Sequence, residues 1–247
     1  EILALERAGC DVVRVAVPAE RDADAIAAVR QAVHIPVVAD IHFDARLAVR
    51  AAEHGADKIR VNPGNLGGEN KVKLVADAVR AHHIPVRVGA NTGSIARAFY
   101  ERYGGRTAEA LAESALAEAR AFEKCGVSDI VLSVKASDVP LTVAAYRYLS
   151  ARCDYPLHLG VTEAGRRFGG IVKSAAAIGA LLLDGIGDTL RVSLSGETTE
   201  EVAAGREILR AVGLERDYVE VVACPTCGRC RWDAAAFAEK VEARVKG

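Results

Sequence analysis

A (β/α)8 TIM barrel is the fold class this sequence predicts, and three observations predict it. Seven short apolar segments alternate with long Ala-rich stretches, as strands and helices do in a parallel sheet. The segments open in two recurring ways, on a glycine followed by an aspartate or on proline. Within them polar residues return at every second position, so each has one polar and one apolar face. The competing architecture is an open doubly wound sheet, but no Gly-x-Gly-x-x-Gly follows any segment to support it. With 247 residues, 51% of them hydrophobic, the chain can bury the core of one barrel.

Glu1 to Ala8 reads as a helix with no strand ahead of it, so seven of eight strands are expected here and one before Glu1. Strands are expected at 12–17, 58–63 and 188–194, behind Gly9-Cys10-Asp11, Gly55-Ala56-Asp57 and Gly187-Asp188. A looser copy, Gly126-Val127-Ser128-Asp129, leads the strand at 129–136. Glycine fits the left-handed residue that ends a helix, and the strand then starts at once. Strands at 37–42, 85–90 and 157–163 begin beside Pro36, Pro85 and Pro156 instead. Proline is tolerated at that first position because its missing N–H need not join the ladder. Ala108 to Lys124 and Lys173 to Leu183 read as helices between strands, and roughly Glu200 to Val212 as the last barrel helix. Tyr218 to Ala223 then reads as a new apolar strand, so the barrel is expected over 1–215 and a second domain from 216 to 247.

Strand parity locates a candidate site. Arg14 stands opposite Val13, Val15 and Val17; Asp40 shares a face with His42, Arg60 with Asn62, and Arg87 with Asn91. Ser133, Lys135 and Ser137 align, as do His158, Gly160 and Thr162, and Arg191 with Ser193. The residues between them are almost all apolar and face the helices, so the polar set faces the barrel axis. Inward polar groups are costly unless paired or wet. Five cations there (Arg14, Arg60, Arg87, Lys135, Arg191) exceed the acids, Asp40 and Glu163 among them. Active sites of such barrels lie at the C-terminal ends of the strands. The excess charge asks for a multiply anionic ligand, most simply a diphosphate held by arginine forks. Asn62-Pro63-Gly64-Asn65 and Gly89-Ala90-Asn91-Thr92-Gly93-Ser94 fall just past strand ends and read equally as plain turns or as turns that line the ligand. Glu163 ends the run His158 to Glu163 at the mouth, where a carboxylate can shuttle a proton to a leaving oxygen.

Composition removes other functions. Formal net charge is −1, which excludes whole-protein attraction to nucleic acid, and no run of about 18 apolar residues is present to span a membrane. Gly170-Ile171-Val172-Lys173-Ser174 lacks the Gly-Lys-Ser adjacency of a P-loop. Six cysteines are too few for a disulfide scaffold; Cys10, Cys125 and Cys153 read as small buried apolar residues. Cys224-Pro225-Thr226-Cys227-Gly228-Arg229-Cys230 is different, since a C-x-x-C turn chelates a metal or cluster or works as a redox dithiol. Spacing alone leaves its identity open.

Several stretches resemble one family. They are Val38 to Asp44, Arg60 to Asn65, Ser133 to Asp138, Thr162 to Gly165, Gly185 to Thr189 and Cys224 to Arg229. The family is 4-hydroxy-3-methylbut-2-enyl diphosphate synthase of the non-mevalonate isoprenoid pathway. The resemblance implies an oxidoreductase that opens methylerythritol cyclodiphosphate with two electrons to hydroxymethylbutenyl diphosphate and water. It implies a [4Fe–4S] cluster held by three cysteines and a glutamate, flavodoxin or ferredoxin as electron donor, a homodimer, and a cytoplasmic location. By position, Arg14, Arg60, Arg87, Lys135 and Arg191 grip the diphosphate with help from Asn91 and Ser193, while Asp40, His42, Asn62, His158 and Thr162 complete the substrate site. Glu163 is then the acid/base, and Cys224 and Cys227 are the first two metal ligands. Residues 216–247 become the start of a small α+β iron–sulfur domain, whose third cysteine and glutamate lie downstream, with Cys230 an incidental neighbour. Two other readings remain: a pterin- or phosphosugar-handling barrel resembling dihydropteroate synthase with a zinc knuckle, and a zinc-ribbon module on a structural barrel.

Overall fold

A computed structural model of the chain describes residues 1–245. In order, the first half forms α1 (Ile2–Arg7), β1 (Val13–Ala16), α2 (Glu20–Ala32), β2 (Val37–Ile41), α3 (Ala45–Glu53), β3 (Lys58–Val61), α4 (Pro63–Leu66), α5 (Glu69–Ala81) and β4 (Val86–Asn91). The second half forms α6 (Arg97–Arg102), α7 (Ala108–Lys124), β5 (Ile130–Lys135), α8 (Val139–Ser150), β6 (His158–Leu159), α9 (Arg167–Leu183), β7 (Thr189–Leu190), α10 (Thr198–Ala211) and α11 (Ala234–Val245). All seven expected strands form, and all are parallel to their neighbours. Two short helices at the mouth, α4 and α6, follow β3 and β4 where turns were expected.

The alternation of strand openings has a structural reason. Proline at the head of one strand leaves the next N–H free, and the aspartate that opens the following strand takes it. Asp57 accepts from the Val37 N–H at 2.8 Å, and Asp188 from the Leu157 N–H at 2.7 Å. At the third proline the Asp129 carbonyl accepts from Val86. Gly55 and Gly126, at φ of 89° and 79°, reverse the chain between helix and strand. Side chains cap the helices on the mouth side: Asp44 accepts from Arg46 N for α3, Thr107 from Ala110 N for α7 and Asp138 from Leu141 N for α8.

Strands β1 to β5 form one continuous sheet in that order, and β6 and β7 form a second. The break between β5 and β6 has a physical cause. Leu132 N–H donates to the Pro156 carbonyl at 2.9 Å, and further along Thr162 N–H donates to Ala136 at 3.1 Å. Between those bonds the buried Tyr146 hydroxyl of α8 stands in the ladder, accepting from Val134 N–H at 3.2 Å and donating to the His158 carbonyl. One phenol oxygen thus replaces a direct strand–strand bond and holds the strands apart. It accounts in part for the short β6, against the 157–163 expected. Among the described residues β7 pairs only with β6, which leaves its outer edge open and also keeps it shorter than 188–194. Outside the sheet, α10 closes against the chain's start: Arg206 donates to the Gly9 carbonyl and pairs with Asp11 at 2.8 Å, and Thr198 bonds Glu1.

The core lies between sheet and helices, with Ile59, Val61, Val86, Val88, Leu132, Val134, Leu111 and Ala115 wholly buried. Cys125 and Cys153 pack against it, and all three isolated cysteines are half-buried rather than buried. Tyr218 to Ala223 does not form the expected strand: Val219 and Val222 are 62% and 84% exposed. A strand is stable only in a ladder, and no partner stands beside this one among the described residues. No helix is long and apolar enough to cross a membrane.

Candidate functional site: a cationic cage at the barrel mouth

The inward faces of the strands enclose a cavity of about 110 Å³ lined by Arg14, Arg60, Arg87, Ala90, Asn91, Ser133, Lys135, Thr162 and Arg191. Strand parity alone brings all five expected cations to this one place. Asp40 is the acid among them, its side chain 5% exposed, with Arg14 Nη1 and Arg60 Nη1 each 2.8 Å from its oxygens. Burial alone would raise Asp40's pKa, but Arg60 and Arg14 outweigh it and hold the carboxylate below its ordinary range.

The remaining cations have no such partner. Among the described residues neither Arg87, Lys135 nor Arg191 is in an ion pair, and the Nε atoms of Arg87 and Arg191 are buried without a hydrogen bond. Burial, then the Arg14 and Arg60 charges, pushes Arg87 down to about 9. Burial and the Arg191 and Arg87 charges hold Lys135 well below the usual lysine range. Burial and Arg14 lower Arg191 as well. The free cage is therefore electrostatically strained, and an anion seated in it relieves that strain. A larger, more open hollow of about 520 Å³ lies at the opposite barrel end, where Arg80 and His83 face Asp77 and Asp129. Two carboxylates and a single arginine line it, so it gathers no excess of positive charge comparable to the cage.

The other expected residues sort by depth. Asn62 is 1% exposed and its Oδ1 has no hydrogen-bond partner. Asn91 lines the cavity while its Oδ1 accepts from Gly93 N–H at 2.9 Å. His42 is partly exposed at the rim, its Nε2 3.6 Å from Asp40. His158 lies below the cavity, not on its wall: Nδ1 is 2.8 Å from Thr189 Oγ1 and Nε2 is buried without a partner. Burial and the nearby Lys135 charge depress its pKa strongly, so it is neutral. Ser193 is half-buried and outside the cavity lining.

Glu163 departs from the inward position expected of it. It is exposed and stands on left-handed backbone at φ 52°, and its carboxylate has no ion pair among the described residues. A glutamate in that conformation is strained, and strain of this kind gathers at functional positions. Glu118 escaped the sequence reading. It projects from α7 behind Arg60, with Oε2 buried and unpartnered, and burial pushes it up to about 7 against the Gly64 N–H and Arg60. Its signal is helical period, since Leu111, Ser114, Ala115 and Phe122 share its face and are all buried.

Cys224 and Cys227 are free and exposed on the far side of α10 in sequence, with Cys230 half-buried. The turn is tight: Cys230 N–H donates to the Cys227 carbonyl at 2.9 Å, and Thr226 has φ 67°. Cys230 Sγ points to the Trp232 carbonyl, 3.1 Å away. Among the described residues no three metal-binding side chains converge.

Comparison with known proteins agrees with this geometry. The GcpE TIM-barrel domain matches residues 1–206. The chain is 53% identical over 245 residues to 4-hydroxy-3-methylbut-2-en-1-yl diphosphate synthase (flavodoxin) of Caldanaerobacter subterraneus, a match covering 99% of this chain and 69% of that protein. It is 51% identical over 247 residues to the protein of the same name from Geobacter sulfurreducens, covering 100% and 70%. The Lysinibacillus sphaericus protein is also 51% identical, with 98% and 65% covered. The chain thus spans about two thirds of the length of these relatives. Among solved structures it is similar to Yersinia pestis dihydropteroate synthase, with TM-score 0.58, 14% identity and 85% of each chain covered. It is similar too to a truncated 3-deoxy-D-arabino-heptulosonate 7-phosphate synthase of Thermotoga maritima, with TM-score 0.60, 16% identity and 86% and 81% covered. At those identities the likeness is one of fold alone. Sequence identity of about one half along almost the whole chain, with the expected cations gathered in one barrel, shows that the chain belongs to the GcpE family of 4-hydroxy-3-methylbut-2-en-1-yl diphosphate synthases.

Proposed function

We propose that this chain binds the substrate in the reductive opening of 2-C-methyl-D-erythritol 2,4-cyclodiphosphate to 4-hydroxy-3-methylbut-2-enyl diphosphate. Two electrons and two protons enter, the ring opens, and one water leaves. The observation that carries the reading is the cage of five cations around Asp40, three of the cations in no ion pair among the described residues. Arg87, Lys135 and Arg191 hold the diphosphate from below, and Arg14 and Arg60, braced by Asp40, hold it from the side. Asn62, Asn91, Thr162 and Ser193 supply neutral hydrogen bonds, His42 stands at the rim, and neutral His158 supports Lys135 from beneath. Glu163, exposed at the mouth and in no ion pair among the described residues, gives a proton to the departing oxygen.

Electrons need a redox group, and two free, exposed thiols at a tight turn fit two ligands of an iron–sulfur cluster. Cys224 and Cys227 would hold a [4Fe–4S] cluster there, completed by groups outside the described residues. When bound, it supplies one-electron reduction steps. The domain beginning near residue 216 carries it. The relatives' name points to flavodoxin as donor. A homodimer, with one subunit's cluster domain over the partner's barrel, and a cytoplasmic location belong to the same reading.

Anaerobic reconstitution of the complete protein with iron and sulfide tests it. The expected product is a brown protein that turns over the cyclodiphosphate with a strong reductant, while residues 1–247 alone remain inactive. A colourless, zinc-loaded protein would overturn the reading in favour of a zinc knuckle.

A further inference from the structure

Two glycines face the cage from inside the barrel wall. Neither has the left-handed backbone that makes glycine necessary; Gly89 lies in the middle of β4, and Gly160 just follows β6. Conformation therefore does not explain them, but space does. A Cβ at Gly89 would stand 2.8 Å from Arg60 Nε, 3.0 Å from Arg60 Nη2 and 3.1 Å from Ser133 Oγ. A Cβ at Gly160 would stand 3.2 Å from Lys135 Nζ, 3.3 Å from its Cε and 2.8 Å from the Arg191 carbonyl. Both contacts follow one rule. Arg60 of β3 leans across onto β4, and Lys135 of β5 leans across onto the β6 segment, the direction in which tilted barrel strands carry their side chains. At Gly89 the seat is also polar, because Arg60 Nη2 donates to the Gly89 carbonyl at 3.3 Å.

We propose that Gly89 is a positioning residue of the diphosphate cage; at Gly160 the tightest contact is the Arg191 backbone carbonyl, so the close approach of the strands already accounts for that glycine. Gly89 leaves a gap in the wall where the Arg60 guanidinium lies flat, so that its charge is held at the cavity edge before ligand arrives. Arg60 is then fixed at three sides, by Asp40, by the Gly89 carbonyl and by the bare Gly89 Cα. The inference rests on the diphosphate reading above but concerns what orients the cations, not which anion they take.

The test is Gly89→Ala, since its methyl meets the far end of a flexible side chain and the strand backbone accepts alanine. Binding of inorganic pyrophosphate is measured by calorimetry, with the thermal midpoint as a check on folding. Displacing one guanidinium by about 1 Å should weaken binding by about tenfold to a hundredfold. Arg60→Lys removes the guanidinium from that seat, so Gly89→Ala in the Arg60→Lys background should bind within about twofold of Arg60→Lys alone. This second comparison stands even if Gly89→Ala alone does not fold, because the clash is then absent. Unchanged binding by Gly89→Ala, or a penalty that persists in the Arg60→Lys background, would overturn the inference. Failure of the unmodified chain to bind pyrophosphate is a distinct result: it would overturn the diphosphate reading itself.

Discussion

Asp40 is the one acid that two of the cage cations share, and its removal separates stability from binding. With its side chain 5% exposed and both oxygens paired at 2.8 Å, Asp40→Asn leaves Arg14 and Arg60 without a counter-charge. Breaking such a pair from one side costs about 3–5 kcal/mol, so the ligand-free variant should unfold at markedly lower urea than the parent. Pyrophosphate should restore most of the difference, because the anion supplies the missing charge. A variant as stable as its parent without ligand would show that Asp40 balances nothing. Lys135 gives the opposite sign. Its folded pKa lies well below the unfolded 10.5, so the unfolded chain holds more protons between those values. The cost of burying the charge is fully present below the folded value and is shed as pH rises toward 10.5. Lys135→Met should therefore be more stable than the parent at neutral pH, with a margin that shrinks as pH climbs. Urea midpoints of the two proteins across pH check this, and a constant or negative margin would refute it.

At the scale of elements, the Tyr146 hydroxyl is the feature to probe. Tyr146→Phe leaves Val134 N–H and the His158 carbonyl facing each other across a gap with no bridging oxygen. An unsatisfied buried backbone group costs about 1–3 kcal/mol, and the Val134 amide should exchange faster with solvent. Unchanged stability and unchanged exchange would mean that the strands close up directly. This wedge also marks where sequence stops being legible. The strands were readable because period 2 is local: Ile59, Val61, Val86 and Val88 alternate with the cations whatever the rest of the chain does. The wedge was not, because a tyrosine on α8 reaches into a ladder 12 residues away in both directions. Glu118 was missed for a related reason, since strand parity says nothing about a helix that backs the site. Tyr218 to Ala223 misled for the reverse reason: it has strand composition, but composition brings no partner.

For the whole molecule, the barrel sorts charge by location: a chain of net charge −1 concentrates five cations at one mouth. Parity made this arrangement legible in advance, whereas the exposed, left-handed setting of Glu163 depends on how the segment after β6 turns outward. Pairing is uneven around the cage, and that has a consequence in time rather than in affinity. Arg87, Lys135 and Arg191 are in no ion pair among the described residues, so their field extends out through the opening and draws anions toward it. Salt shortens that reach, to about 10 Å at 0.1 M. Stopped-flow measurement should show pyrophosphate associating fastest in dilute buffer and slowing steeply as salt is added, with dissociation much less affected. An association rate indifferent to salt would mean the cage acts only on anions that have already arrived. The same unpaired charges that strain the empty barrel would otherwise set how quickly it fills.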